Sequence, residues 1–253
     1  MDCANRHAAG SGGNGFRGGV LARREKGGFW VGLAAIVFYP VTAIGKRVYR
    51  GGEKVPREGG AVLVMNHISH LDPVVDAVFV HRQRRVPRFF LKESLKQVPV
   101  LGRIVDGSGQ IPVSRGSSAA GDSLKHAHEA LAEGKVIVIY PEGTITKDPE
   151  GWPAKAFTGA ARLALQNDVP VIPVARWGTN RIFNGYTKKF TPLPRKTVTH
   201  LVGDPIDLSR YRGGNPRSAK ALREVTDVIM DRITELLAEI RQEQPPAKKP
   251  DDA

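Results

Sequence analysis

Short, unbroken apolar runs alternate along this chain with longer stretches in which apolar residues recur every three or four positions. The runs Ala61–Met65, Val86–Leu91, Val136–Tyr140, Val171–Ala175 and Thr197–Val202 predict strands. Most of them lack polar alternation, which predicts burial on both faces of a sheet. Helical spacing predicts helices over about Pro73–Val80, Ser117–Leu131, Lys155–Gln166 and Pro216–Ile240. In the second of these, Ala120, Leu124, Ala127 and Leu131 fall on one face, and Glu133-Gly134 closes the helix before the next strand. Strands separated by helices predict one α/β domain over residues 51–241, a mostly parallel central sheet flanked by helices. No internal repeat is visible.

Residues 27–45, GGFWVGLAAIVFYPVTAIG, carry no charge between Lys26 and Lys46. As a helix they would cover about 28 Å, close to the ~30 Å hydrocarbon core of a bilayer. Residues 27–50 are therefore expected to form a membrane-associating segment, embedded or re-entrant, with Trp30 and Tyr39 near the interface. Pro40 and the flanking glycines leave open a buried soluble helix, and Val41-Thr42-Ala43 leaves open a cleaved signal peptide. Arg23, Arg24 and Lys26 precede the segment and Lys46, Arg47 and Arg50 follow it, a symmetry that gives no inside–outside bias but suits two contacts on one anionic leaflet. The glycine-rich stretch 1–26 is expected to be a flexible basic leader and 242–253 a flexible tail.

Composition narrows the partners. Lys and Arg number 38 against 25 Asp and Glu, a net charge of +13, which suits nucleic acid, an anionic membrane or phosphorylated substrates. The single cysteine, Cys3, excludes an intramolecular disulfide and a cysteine-rich zinc site. Basic residues concentrate at Arg82, Arg84, Arg85, Arg88, Lys92 and Lys96, and again between Lys155 and Gly203, where Asp168 is the only acid. Zinc-finger spacing, a basic zipper, an RNP-like strand and a GxxxxGK[ST] loop are all missing, so an apolar segment beside cationic patches favours a lipid surface over nucleic acid.

Three segments could carry chemistry. Asn66-His67-Ile68-Ser69-His70-Leu71-Asp72 leaves the first predicted strand and enters a helix at Pro73. Carboxyl ends of strands are where open α/β sheets bind ligands, and an Asp accepting from one imidazole nitrogen would fix the tautomer and raise the basicity of the other. Taken alone, Asp72 could equally cap the helix and His67 fill the turn. Tyr140-Pro141-Glu142-Gly143-Thr144 stands in the same relation to its strand, where an ordinary strand-ending turn is the plain alternative. Arg115 closes Ile111-Pro112-Val113-Ser114-Arg115 just before a helix start, a place suited to a phosphate or simply to solvent.

Together these segments resemble the glycerolipid acyltransferases typified by 1-acyl-glycerol-3-phosphate acyltransferase. That family's NHxSxxD block is matched by Asn66, His67, Ser69 and Asp72, and its apolar run ending in Arg is similar to Ile111–Arg115. Its FPEGTRS block corresponds to Tyr140–Thr146, and its proline-containing apolar run to Val169–Val174. The resemblance covers roughly 50–210. It implies that His67 is a general base on a glycerol hydroxyl, oriented by Asp72, with Asn66 and Ser69 positioning the turn. Arg115 would bind an acceptor phosphate, Glu142, Gly143 and Thr144 would help bind that acceptor, and Lys92 is a further phosphate candidate. Neither a protein nucleophile, a metal nor a bound cofactor is implied; the acyl donor is a thioester of coenzyme A or acyl-carrier protein. The implied acceptor is a lysophospholipid, 1-acyl-glycerol 3-phosphate, and the product phosphatidic acid. The implied place is the cell membrane, with the catalytic domain on the cytoplasmic side of an anionic surface. Three positions depart from the family: Ser114 stands where many members have an acid, Tyr140 replaces Phe, and Ile145-Thr146 replaces Arg-Ser. The last removes a phosphate-facing cation and leaves glycerol 3-phosphate, another lysophospholipid or a glycolipid open as acceptor. A thioesterase is disfavoured by the absence of GxSxG, and a non-catalytic membrane- or nucleic-acid-binding module is the remaining rival.

Overall fold

A computed structural model describes residues 25–99, 101–113 and 117–247. Seven strands form one sheet: β1 (Lys46–Arg50), β2 (Ala61–Met65), β3 (Pro87–Lys92), β4 (Ile111–Val113), β5 (Val136–Ile139), β6 (Val171–Trp177) and β7 (Thr197–Val202). Their order is β1-β7-β6-β2-β5-β3-β4, parallel throughout except for the antiparallel pair β6–β7. The helices are α1 (Gly28–Thr42), α2 (Asp72–Arg82), α3 (Leu101–Gly107), α4 (Ser117–Ala132), α5 (Gly159–Gln166), α6 (Ser209–Arg212) and α7 (Ala219–Arg241).

The central strand shows why an unbroken apolar run was needed. All five residues of β2 are buried, and they serve two cores. Val62 and Val64 pack with residues of α4, α5 and α7, including Ala127, Leu163 and Ile229. Ala61, Leu63 and Met65 turn the other way, toward Phe79 and Val80 of α2 and Val138 and Val174 of the neighbouring strands. The period of two thus persists, hidden in sequence because both faces are covered.

β2 leads into α2 on one face of the sheet and β5 leads toward α5 on the other, so the chain leaves the adjacent strands β2 and β5 toward opposite faces. Such a divergence opens a crevice at the strands' carboxyl ends. His67 follows β2 and Glu142 follows β5, so both flank it.

Three expectations are revised. The uncharged segment forms a helix of 15 residues, about 22 Å at 1.5 Å per residue, with Pro40 in its last turn. No helix among the described residues is long and apolar enough to cross a membrane. Trp30 and Tyr39 meet protein instead: Trp30 lies against Gly107 of α3, and the Tyr39 hydroxyl is 2.9 Å from His81 Nδ1 on α2. Lys46–Arg50, grouped by its position with the apolar segment, is an edge strand paired in parallel with β7; three charges in KRVYR mask its strand character. The helix expected from Lys155 starts at Gly159, because the preceding residues turn back so that Phe157 N donates to Pro141 O (2.9 Å).

Arg85 fixes the opposite, amino-terminal edge of the sheet. It is 2% exposed, and its guanidinium donates to the carbonyls of Pro56 (2.6 Å), Gly59 (2.8 Å) and Gly134 (2.6 Å) while pairing with Glu25. Replacing it leaves three loop carbonyls short of a donor. Arg85→Met is expected to lower unfolding free energy by about 2–4 kcal/mol in urea titrations; a loss below about 1 kcal/mol would show that those loops hold without it.

Candidate active site

The turn from His67 to Asp72 is organised around one carboxylate. Asp72 is fully buried, and its Oδ2 lies 2.8 Å from His67 Nδ1. The same oxygen accepts from the backbone N–H groups of Ile68 and Ser69, both at 2.7 Å, and pairs with Arg176 Nη2 at 2.6 Å. Oδ1 accepts from the Thr179 hydroxyl at 2.6 Å. The carboxylate therefore folds the turn back on itself as well as engaging the imidazole, and a residue five positions away reaches His67 without sharing a helical face with it. With Nδ1 facing Asp72, Nε2 is the ring nitrogen left open, and the His67 side chain is 14% exposed.

Asn66 and Ser69 anchor the turn from either side. The Asn66 amide exchanges hydrogen bonds with the backbone of Arg176 (2.9 and 2.8 Å), tying the end of β2 to β6. Ser69 Oγ donates to Phe183 O (2.6 Å) and accepts from Leu71 N (3.2 Å).

Beneath lies a buried polar network that the sequence did not reveal. Arg176 bridges Asp72 and Asp76, with its Nη1 on Asp76 Oδ2. Asp76 also accepts from the Tyr140 hydroxyl (2.6 Å) and from His200 Nε2 (2.8 Å). Burial alone would push the Asp76 carboxyl up, but Arg176 and His200 outweigh it and bring it down to about 2. Burial drives the His200 imidazole downward and the Tyr140 phenol upward, so both are held neutral. Two carboxylates then face one guanidinium. The Tyr140 ring stacks on His67, centroids 4.4 Å apart, and fixes the imidazole plane. Arg176 sits in an apolar strand where it reads as a surface exception, and Asp76 lies four residues from Asp72 on α2. That i, i+4 spacing was the available signal.

Glu142 has both carboxylate oxygens on backbone donors. It is 3% exposed and grips backbone on both sides: Oε1 accepts from His67 N (3.1 Å) and Oε2 from Ala154 N (3.0 Å). Thr146 N closes the junction by donating to His67 O (2.7 Å). Burial is the dominant influence on this carboxyl and holds it up at about 7 despite those donors. Gly143 adopts φ +65° with the Phe157 ring packed where a Cβ would project. Gly143 and Thr144 are exposed, as is Lys92 at the end of β3. Arg115 lies outside the described residues, two positions beyond Val113, which pairs with Lys92. Among the described residues, no group of three or more His, Cys, Asp or Glu is placed to hold a metal ion.

An apolar cavity of about 280 Å³ begins beside the turn. Pro73 and Val74, directly after Asp72, line it with Ala77 of α2, Phe89 of β3, Phe38 of α1 and Ile104 of α3. Phe89 also stacks on Tyr140, at 6.3 Å, so the cavity and His67 share a wall.

Comparison with known proteins agrees with this geometry. The acyltransferase family model matches residues 46–177, from β1 to the end of β6 and through both turns. The 1-acyl-sn-glycerol-3-phosphate acyltransferase of Borreliella burgdorferi is 28% identical over 199 residues, 78% of this chain and 73% of that protein. The chloroplastic enzyme of that name, BAT2, from Brassica napus is 29% identical over 155 residues, 60% of this chain; the chain matches 42% of that longer protein. The crystal structure of PlsC, the 1-acyl-sn-glycerophosphate acyltransferase of Thermotoga maritima, shares the fold with a TM-score of 0.64 at 20% identity, over 85% of this chain and 81% of that one. With the matched region holding six of the seven strands, the crevice and the His67–Asp72 turn, the chain belongs to the acyltransferase family and is an O-acyltransferase.

Proposed function

We propose that this chain transfers an acyl group from a thioester of coenzyme A or acyl-carrier protein to the free hydroxyl of 1-acylglycerol 3-phosphate, forming phosphatidic acid. The observation that carries the reading is the His67–Asp72 contact of 2.8 Å beside an apolar cavity. The names of the relatives support the acceptor. His67 Nε2 takes the hydroxyl proton as the oxygen attacks the thioester carbonyl; the C–S bond then breaks and the imidazolium returns the proton to the thiolate. Asp72 keeps the proton on Nδ1 and faces the positive charge that develops on the ring. No side chain is acylated along this path. The cavity holds the acyl chain, excluding water from the thioester carbon. Arg115 and Lys92, the latter from the carboxyl end of β3, bind the acceptor phosphate, and Gly143 and Thr144 edge the acceptor site. Glu142 is a positioning residue in this scheme, holding the His67 backbone rather than the acceptor. At the membrane, α1 rests its exposed Phe29, Ile36 and Val37 on an anionic cytoplasmic leaflet.

A second acceptor deserves its own assay arm for one reason. Ile145 occupies a position where a cation would meet phosphate, and it packs against Gly185 instead. Thiol release from purified protein, crossed over lysophosphatidate, glycerol 3-phosphate and other lysophospholipids with mass identification of the product, tests the reading. Release that depends on lysophosphatidate and yields phosphatidic acid supports it; release without acceptor indicates a thioesterase.

Three expectations follow from the site. His67→Ala should reduce acceptor-dependent thiol release by about 10³-fold or more with an unchanged melting temperature, and near-normal turnover would exclude a general base at this position. Ala77→Phe fills the cavity and should shift kcat/KM toward shorter acyl thioesters by about tenfold; an unaltered chain-length profile would place the acyl chain elsewhere. Glu142 titrates near 7 when folded against 4.5 as its ordinary value, so the folded protein binds the proton more tightly. The stability from this group is complete below pH 4.5 and is lost as pH rises through about 7. Between pH 5 and pH 8 this group alone should cost about 2–3 kcal/mol, so the stability difference between the parent and Glu142→Gln in urea titrations should change by that amount across the window. A difference that stays constant would contradict the buried carboxyl.

A further inference from the structure

Residues 178–196, between the antiparallel strands β6 and β7, are long for a connection within one sheet. Connections above about 12–15 residues usually serve a function. Within them, Ile182 to Thr191 forms a finger: Phe183 and Phe190 make an antiparallel bridge, Thr191 N donates to Ile182 O (2.7 Å) and Asn184 N to Lys189 O (3.0 Å). The finger is rooted at the candidate active site. Ser69 Oγ bonds Phe183 O, the Tyr186 hydroxyl donates to Lys147 O, and Ile182 is buried. Its far strand leads to Arg195, whose guanidinium donates to Ala43 O (2.9 Å) and Gly45 O (3.3 Å) at the end of α1.

This placement follows from topology. β7 and β1 run opposite to the other five strands, so the start of β7 and the end of α1 lie at the same sheet edge as His67. What the segment shows to solvent is unusual: Leu193 is 76% exposed, Tyr186 55% and Phe190 54%. Residues 178–196 carry five Lys or Arg (Arg181, Lys188, Lys189, Arg195 and Lys196) and no Asp or Glu. None of the five forms an ion pair with a carboxylate among the described residues.

We infer that this finger and the stretch after it, up to β7, form a second bilayer contact, which inserts Leu193 and Phe190 at the surface of an anionic membrane while Lys188 and Lys189 meet lipid headgroups. Aromatic and leucine side chains flanked by lysines that no carboxylate neutralises match both layers of such an interface: the apolar groups reach the acyl boundary and the ammonium groups stay with phosphate, Lys188 from beside His70, whose Nε2 lies 2.5 Å from its Nζ. A polyanion such as nucleic acid would satisfy the lysines but leave Leu193 in water. With α1, to whose end Arg195 bonds, the segment gives two contacts at the sheet edge that carries His67, so a lipid acceptor can reach His67 without leaving the leaflet. The choice of a bilayer rests on the acyltransferase reading; the contact itself is read without turnover.

The test uses the full chain with its single cysteine removed, Cys3→Ser, and an environment-sensitive fluorophore on Leu193→Cys. Addition of phosphatidylcholine vesicles containing phosphatidylglycerol should blue-shift the probe, and spin-labelled lipid should quench it; phosphatidylcholine alone should act weakly. In unlabelled protein, Leu193→Ser should raise the vesicle Kd by about tenfold, and Lys188→Gln/Lys189→Gln should remove most of the dependence on phosphatidylglycerol. Turnover of Leu193→Ser on acceptor in detergent micelles should stay within about twofold of the parent. Unchanged vesicle affinity in Leu193→Ser overturns the inference. So does an equal probe shift with duplex DNA, or with self-association in the absence of lipid. Vesicle binding by a chain without thiol release would retain this inference and refute the proposed activity instead.

Discussion

Burying a carboxylate costs several kcal/mol unless its charge and lone pairs are met, and Asp72 is at the centre of a site built to meet them. His67, Ile68, Ser69, Thr179 and Arg176 all converge on it, from the turn itself, from β6 and from the connection that follows β6. Each contact constrains a different part of the molecule. The two backbone donors fold the turn, the imidazole is set in tautomer and direction, and the guanidinium binds the start of α2 to the neighbouring strand. Loss of the carboxylate would release all of these together. It would also strand Arg176, whose remaining carboxylate partner is Asp76.

That arrangement connects electrostatics to packing. Asp76, Tyr140 and His200 extend the polar network below the sheet's end, and the Tyr140 ring then returns to the surface as the platform under His67. One face of the same ring meets Phe89 in the wall of the apolar cavity. The phenol is thus polar toward the network and apolar toward the cavity, which places an ionisable imidazole beside a hydrocarbon surface while the phenol hydroxyl keeps its bond to Asp76. For an acyl transfer this is the useful combination, a base that can take a proton next to a space that water does not favour. Glu142 serves the same end through backbone, since a displaced His67 N–H would move the imidazole it carries.

Much of this architecture was legible in the sequence. The strands over Ala61–Met65 and Thr197–Val202 lie at their predicted bounds, and the two helices with marked apolar stripes, Ser117–Ala132 and Ala219–Arg241, begin and end within a few residues of expectation. The mostly parallel sheet followed from apolar runs that need cover on both sides. Elements whose character depends on partners were not legible: β1 is a charged edge strand, and α3 is too short to show a period. At the site, the pairing of His67 with Asp72 was expected, whereas the placement of Glu142 was not. A carboxylate after a strand reads as a ligand group, and only the fold brings His67 N and Ala154 N to it. Arg176, Asp76 and His200 lie 100 or more residues apart in their pairings, a distance over which a single sequence gives no sign. The apolar segment misled through length: nineteen uncharged residues suggested a span, but the helix stops at Thr42 with Pro40 inside its last turn and the chain enters the sheet at Lys46.

The account turns on whether Asp72 acts through His67 as well as shaping the turn. Single-turnover acyl transfer by Asp72→Asn, with acceptor saturating, is the most direct measurement. An amide preserves the size of the side chain but alters which imidazole tautomer is favoured, so the proposed mechanism predicts a fall of about 10³-fold or more in the acyl-transfer rate with acceptor binding retained. A single-turnover rate within about tenfold of the parent, in a folded variant, would contradict it.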